Sequence, residues 1–163
     1  MNTWILSASQ SGTAKKAAGM LADLVPGSTV CDLNGAVPSL EGFDCVALGG
    51  GVRMGRWHKL ATRYACQHAD ELLARRLGLF VCSGTPDGAR ELLQAQGLPE
   101  ALLRSAVAVE GLGGELVLER LHGMEKLMVR MISKQENNPF HTDGVSPERV
   151  RRLAEALLGE QTA

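Results

Sequence analysis

The apolar run Trp4-Ile5-Leu6 meets the turn Ser7-Ala8-Ser9-Gln10-Ser11-Gly12-Thr13, which opens directly into Ala14-Lys15-Lys16-Ala17-Ala18-Gly19-Met20-Leu21-Ala22. A strand handing over to a helix across so short a turn starts a β-α-β unit, and that commits the chain to a parallel sheet. The first N–H groups of such a helix have no partner inside it and point, with the positive end of its macrodipole, past the end of the strand. An anion is the natural occupant. Ser7, Ser9, Ser11 and Thr13 are more hydroxyls than a helix start needs, since a single Ser or Thr at the N-cap satisfies it. Lys15 and Lys16 oppose the macrodipole in the first turn, which is easier to understand beside a bound anion. The turn therefore reads as a mononucleotide phosphate cradle made from Ser9, Gln10, Ser11, Gly12, Thr13 and Ala14. It is not a Walker A loop, because G-x-x-x-x-G-K-S/T occurs nowhere in the chain, and Gly49 to Met54 fails G-x-G-x-x-G at its last position.

The same alternation continues along the chain. Helix one runs to about Val25, Pro26-Gly27 turns, and Ser28 to Leu33 has the β-branched character of a second strand. Phe43 to Leu48 is apolar nearly throughout, as a strand covered by helices on both faces requires, and is expected to end at Gly49-Gly50-Gly51. The spacing predicts a helix from about Trp57 to Arg75, a fourth strand over Leu77 to Cys82, a helix from Ala89 to Gln96, a short one to about Arg104, and a fifth strand over Ser105 to Glu110. Two further helices are expected, Leu121 to Lys134 and Pro147 to Leu158, the second with Ser146 as N-cap and Pro147 at its first position. Residues 135–144 form the one long polar connection.

Such a chain of 163 residues is one domain, 1–163, with 45% hydrophobic and 21% charged residues. No stretch has the length of a membrane span and the N-terminus lacks a signal peptide's basic and apolar regions, so the expected location is cytoplasmic. Cys31, Cys45, Cys66 and Cys82 lack C-x-x-C spacing and read as reduced thiols, with neither a disulfide framework nor a metal site. Seventeen Lys plus Arg against eighteen Asp plus Glu argue against a nucleic-acid surface.

In open α/β sheets the ligand lies beyond the carboxyl ends of the strands at the switch point, between strands one and three for the order 2-1-3-4-5. Three loops converge there. The first is the opening turn. The second carries Gly50, Gly51, Val52, Arg53, Met54, Gly55 and Trp57, which combine close backbone approach with an aromatic, a thioether and guanidinium charge. The third carries Ser83, Gly84, Thr85 and Asp87.

Ser9-Gln10-Ser11-Gly12-Thr13 resembles the phosphate loop of flavodoxins, T/S-x-T/S/D-G-x-T/S, with Ala14 at the last hydroxyl place and Thr13 one position early. Val52-Arg53-Met54-Gly55-Arg56-Trp57-His58 is similar to the I-R-Y-G-x-Y-H segment of the quinone-dependent protoporphyrinogen dehydrogenases, a flavodoxin-like FMN family, with Arg53, Gly55 and His58 matching and Met54 standing in place of Tyr. Leu121 to Ile132 resembles that family's helix after the fifth strand. The resemblance implies a flavodoxin-like α/β fold, a five-stranded parallel sheet of order 2-1-3-4-5 with helices on both faces, and FMN as cofactor: phosphate in the first loop, isoalloxazine between the other two. It implies a small-molecule or quinone redox partner.

Arg53 and Arg56 bear on the chemistry. A cation near the flavin N1 favours the reduced anion and suits two-electron exchange, whereas acidic surroundings favour a one-electron carrier. Three functions stay open: a two-electron FMN oxidoreductase, a one-electron carrier flavodoxin, and a flavodoxin-like interaction module that has lost FMN. Leu121, Met124, Met128 and Met131 form an apolar stripe among Arg120, Lys126, Arg130 and Lys134, which packs on the sheet or, as a second reading, makes peripheral membrane contact.

Overall fold

A computed structural model describes residues 2–9, 12–35, 37, 39–83, 87–114 and 144–159. In chain order these form β1 (Thr3–Ala8), α1 (Thr13–Leu24), β2 (Ser28–Asp32), β3 (Cys45–Arg53), β4 (Arg56–Trp57), α2 (Lys59–Gln67), α3 (Ala69–Leu73), β5 (Arg76–Cys82), α4 (Ala89–Ala95), α5 (Glu100–Ser105), β6 (Ala108–Gly111), β7 (Gly113–Gly114), β8 (Gly144–Val145) and α6 (Pro147–Leu158). The expected helix over Leu121 to Lys134 lies outside the described residues, as do Gln10, Ser11, Gly84 and Thr85.

Strands alternate their side chains between faces, and here both faces are covered. Trp4, Leu6 and Ala8 of β1, Val46 and Leu48 of β3, and Leu77, Leu79 and Val81 of β5 enter one core with Ala61, Tyr64, Leu72, Leu93 and Leu102 from α2 to α5. Ile5, Cys45, Ala47, Phe80 and Cys82 point the other way, onto Ala14, Ala17, Ala18 and Leu21 of α1 and Val150, Leu153 and Leu157 of α6. All six residues of β1 are buried, which is why Trp4-Ile5-Leu6 is apolar without alternation; the polar Thr3 and Ser7 that flank it are buried as well.

The sheet order is β2-β1-β3-β5-β6, all parallel, with the two-residue β4 antiparallel on β3. Counting only the five parallel strands, this is the expected 2-1-3-4-5 arrangement. The registers Ala8↔Gly50 and Gly51↔Cys82 bring the carboxyl ends of β1, β3 and β5 level.

Four local features differ from the sequence reading. β3 does not stop at the triple glycine but runs through it to Arg53. The glycines serve packing: a Cβ on Gly49 would sit 2.0 Å from the Phe80 ring, and one on Gly50 would meet Ala61, His58 and Trp57 at 3.2 Å. The helix expected from Trp57 to Arg75 begins at Lys59, and His68, at φ −114° and ψ 25°, divides it into α2 and α3. The fifth parallel strand starts at Ala108 because Ser105 closes α5, its hydroxyl donating to the Leu102 carbonyl. The ribbon β7–β8 has no counterpart in the sequence reading. α6, by contrast, matches throughout: Ser146 Oγ accepts the Arg149 N–H at 3.3 Å and Pro147 takes the first turn. No described helix is long and apolar enough to cross a membrane.

Candidate functional site

The residue that sets the first loop is Gly12. It occupies the N-cap of α1 at φ 88°, a conformation open to glycine at little cost, and as a glycine it brings no capping side chain. Ser9 Oγ does not bond into the helix; it accepts the Gly12 N–H at 3.1 Å and so fixes the turn one residue before it. Lys16 N–H closes the first turn on the Gly12 carbonyl at 3.0 Å. Ala14 is fully buried beneath the turn, so its contribution to a ligand is its backbone. Lys15 and Lys16 are exposed in the first turn.

The second segment is a hairpin and not an open loop. Val52 pairs with Trp57 and Arg53 with Arg56, around Met54 at φ 55° and Gly55 at φ 75°. Positive φ at both central positions is the geometry of a tight two-residue hairpin turn, and Met54 is the one non-glycine among the described residues that adopts it. Its side chain is held out at 58% exposure. Gln96 Nε2 fastens the tip by donating to the Gly55 carbonyl at 3.4 Å. Trp57 lies in the core beneath this hairpin, 2% exposed, with its indole N–H donating to the Phe80 carbonyl at 3.3 Å. Arg53 is half-buried and Arg56 exposed.

His58 ends the hairpin and caps α2. Its N–H donates to the Gly51 carbonyl at 2.9 Å, while its Nδ1 accepts the Leu60 N–H at 3.1 Å. Accepting requires a neutral ring. Burial, and after it the charge on Lys59, lowers the imidazole pKa; Asp32 opposes this from β2.

The third segment leaves β5 at Cys82, whose thiol is pushed up to about 12 by burial and is inert at neutral pH. Ser83 is half-buried at its start, and Gly88 at φ 86° caps α4. Asp87 is exposed, and its Oδ1 accepts from Arg149 Nη2 at 2.7 Å. Arg149 Nη1 donates at 3.2 Å to the Gly111 carbonyl, so one guanidinium on α6 ties this segment to the end of β6.

Two participants escape the sequence reading. Arg149 lies 62 residues from Asp87, and no local pattern marks it. Gly114 on β7 approaches so closely that a Cβ there would meet Ser83 N and Thr13 Cγ2, both at 3.3 Å. The glycine run Gly111-Leu112-Gly113-Gly114 was the available signal.

The first and third segments are thus in contact through Gly114, and the hairpin leaves the same end of the sheet from the neighbouring strand. Residues 4–143 match the flavodoxin domain family. The chain belongs to that family. Among solved structures, this flavodoxin-domain chain is similar to a short-chain flavodoxin associated with a bacterial microcompartment, with TM-score 0.54, 13% identity and 98% of both chains covered. It is similar to rubredoxin oxygen:oxidoreductase from the anaerobe Desulfovibrio gigas, with TM-score 0.53, 13% identity, and 99% of this chain against 37% of that one. A flavodoxin variant from Fusobacterium nucleatum bound to flavin mononucleotide gives TM-score 0.50 at 15% identity, covering 96% and 93%. At these identities the likeness is one of fold. None of the curated proteins compared with the chain matches it.

Charge distinguishes two of the helices at this end of the flavodoxin domain. α3, α4, α5 and α6 carry Asp or Glu in the first turn, complementing the macrodipole, whereas α1 and α2 carry none. α1 follows the Gly12 turn and presents two lysines. A helix start whose N-cap is glycine and whose first turn holds two cations and no acid fits a phosphate group.

Proposed function

We propose that the chain binds FMN across the three segments and works as an FMN-dependent oxidoreductase in the cytoplasm, exchanging two electrons with a small molecule or quinone. The observation that carries the cofactor is Gly12: a left-handed N-cap, secured by Ser9, opening an α1 whose N-cap residue has no side chain and whose first turn holds no acid. The flavodoxin bound to flavin mononucleotide supports the same choice of cofactor. FMN supplies the redox couple when bound. The chain's own residues would bind and orient it: the backbone from Gly12 to Ala14 with Lys15 at the phosphate, and the Arg53–Arg56 hairpin with Met54 and the Ser83–Asp87 segment at the ring. Cys82, buried and high in pKa, takes no nucleophilic part.

The two-electron reading rests on the hairpin, whose two arginines favour an added negative charge on a reduced ring. The likeness of Val52 to His58 to the protoporphyrinogen dehydrogenase segment supports an acceptor of the quinone type. A second reading, a one-electron carrier, is supported by the flavodoxin relatives.

Absorption of the protein as purified, followed by titration of stripped protein with FMN, tests the cofactor. A yellow protein with a flavin band, or saturable uptake, is expected. A colourless protein that takes up none would leave the interaction-module reading.

A further inference from the structure

Most described arginines are spent on the fold. Arg75 donates to the carbonyls of Phe43, Glu71 and Leu40, Arg76 to those of Leu157 and Ala156, and Arg90 to that of Leu103. Arg149, Arg151 and Arg152 pair with Asp87, Glu155 and Glu148. Arg56, Lys59 and Arg63 differ. All three lie at the surface, and none makes a side-chain hydrogen bond or ion pair with a described residue. They stand in the longest acid-free stretch of this part of the chain: no Asp or Glu occurs between Asp44 and Asp70, which hold Arg53, Arg56, Lys59 and Arg63 between them.

Local geometry gathers the three. Arg56 alternates with the buried Trp57 in β4 and so turns outward. Lys59 and Arg63 are one helical turn apart on the solvent side of α2, whose Ala61, Tyr64 and Ala65 face the core. Lys59 stands in the first helical turn, where its charge opposes the macrodipole and no acid of that turn relieves it. The carboxylate acting on this helix start from β2 is that of Asp32, whose Oδ1 is already shared by the Asn34 N–H and side-chain amide. Met54, 58% exposed, borders the strip.

From this we infer that the Arg56–Lys59–Arg63 strip is a docking surface for a protein partner presenting a cluster of Asp and Glu. Arg56 extends from β4 and Lys59 and Arg63 from successive turns of α2, so the strip spans two elements, a longer footprint than one small anion covers. A lipid surface is disfavoured because the apolar side of α2 is turned into the core, leaving no stripe to insert. An acidic protein face matches both the extent and the sign, and would satisfy cations that have no acidic partner among the described residues. This surface adjoins the hairpin proposed to flank FMN, yet its test does not need FMN.

The test uses the full chain, with and without FMN, and an acidic [2Fe–2S] ferredoxin as the probe. Binding is followed calorimetrically, and zero-length carbodiimide coupling, which joins a lysine amine to a carboxylate, maps the contact. Coupling at Lys59 is expected at low salt and should vanish at about 0.5 M salt, where surface charges are screened. With Lys59 kept as reporter, Arg56→Gln/Arg63→Gln should weaken binding about tenfold while Arg104→Gln on α5 leaves it unchanged. Single reversals Arg63→Glu and Lys59→Glu, checked for native circular dichroism, carry the test if the double variant fails to fold. Absence of ferredoxin binding, coupling chiefly at Lys15, equal binding by the variants, or competition by citrate at equimolar concentration would each overturn the proposal. So would salt-sensitive binding to phosphatidylserine vesicles, lost in the same variants, without binding to ferredoxin. Failure of FMN uptake with ferredoxin binding intact would defeat the cofactor reading alone.

Discussion

Gly12 meets two demands with one backbone conformation, and the consequences of replacing it separate cleanly. At φ 88° any side chain brings strain of roughly 1–2 kcal/mol, whether or not a ligand is present. If the N–H groups beyond it hold the FMN phosphate, a side chain there also intrudes on the ligand. Gly97 is the control, since it has φ 79° and a Cβ added to it would meet nothing within 4 Å, so Gly97→Ala carries the strain alone. Gly12→Val should lose both stability and FMN affinity, and Gly97→Ala stability only. Urea unfolding and FMN titration of both proteins decide it. Equal FMN affinity in Gly12→Val and wild type would place the phosphate elsewhere. Thr13→Ala is the milder companion and should cost ~1 kcal/mol of FMN binding, one ordinary hydrogen bond.

Among the elements, β3 and α2 show how a short-range reading fails and what replaces it. Triple glycine looks like a break when only propensity is considered, because glycine weakens a strand. The Phe80 ring, arriving from β5 to occupy the space beside Gly49, is a tertiary fact that no window around residue 49 contains. Gly49→Ala should therefore destabilise by about 1–3 kcal/mol through overpacking, and Phe80→Leu should recover part of that loss. A thermal or urea series on the two single variants and the double variant checks the coupling; additive losses would mean that the ring is not the obstacle.

α2 carries the pH dependence. Its His58 cap works only in the neutral form, and burial lowers the folded pKa below the ordinary 6.5. In the unfolded chain the imidazole binds its proton first as pH falls, so this contribution is intact above pH 6.5 and declines through 6.5 toward the lowered value. His58→Asn keeps an acceptor at the N-cap and removes the titration. Its stability should vary less than that of wild type between about pH 5 and pH 7, measured as urea midpoints. Glu110 works in the opposite direction at lower pH, since burial raises its pKa above 4.5 and its stabilising form is the protonated one, lost as pH rises through that window. The two windows are separable because only the His58 part disappears in the variant.

For the whole molecule, the parallel order was legible, and with it the end of the sheet at which the three candidate segments lie, because both follow from local signals repeated along the chain. Each buried strand announces itself as an apolar run, each helix by its period, and chirality then leaves few topologies. The first candidate segment could be proposed from sequence for the same reason: Ser9 to Ala14 is contiguous. What escaped depends on distant contacts. Arg149 reaches Asp87 across 62 residues, Gly114 wedges between Thr13 and Ser83, and Trp57 lies under the hairpin because Phe80 offers its carbonyl there. None of these leaves a periodic trace.

The redox behaviour of the assembled site is the prediction that draws on all three scales. Arg53 and Arg56 are cross-strand neighbours on a tip braced by Gln96, but Arg53 is half-buried and Arg56 exposed. Water screens an exposed charge more strongly, so equal distances from a bound flavin would not give equal effects. If the two-electron reading holds, Arg53→Gln should lower the two-electron potential by tens of millivolts, about 30 mV corresponding to ~1.4 kcal/mol for such a couple. Arg56→Gln should shift it less, and its shift should fade with added salt whereas that of Arg53→Gln should persist. The two one-electron potentials should lie close together in the wild type, because a nearby cation stabilises the charge gained in the second step. The carrier reading expects the reverse: two well-separated potentials, the second far below the first, and little response to either substitution. Spectroelectrochemical titration of the FMN-loaded wild type and both variants, at low and high salt, distinguishes them. Widely separated potentials that survive both substitutions would assign this flavodoxin domain to one-electron transfer.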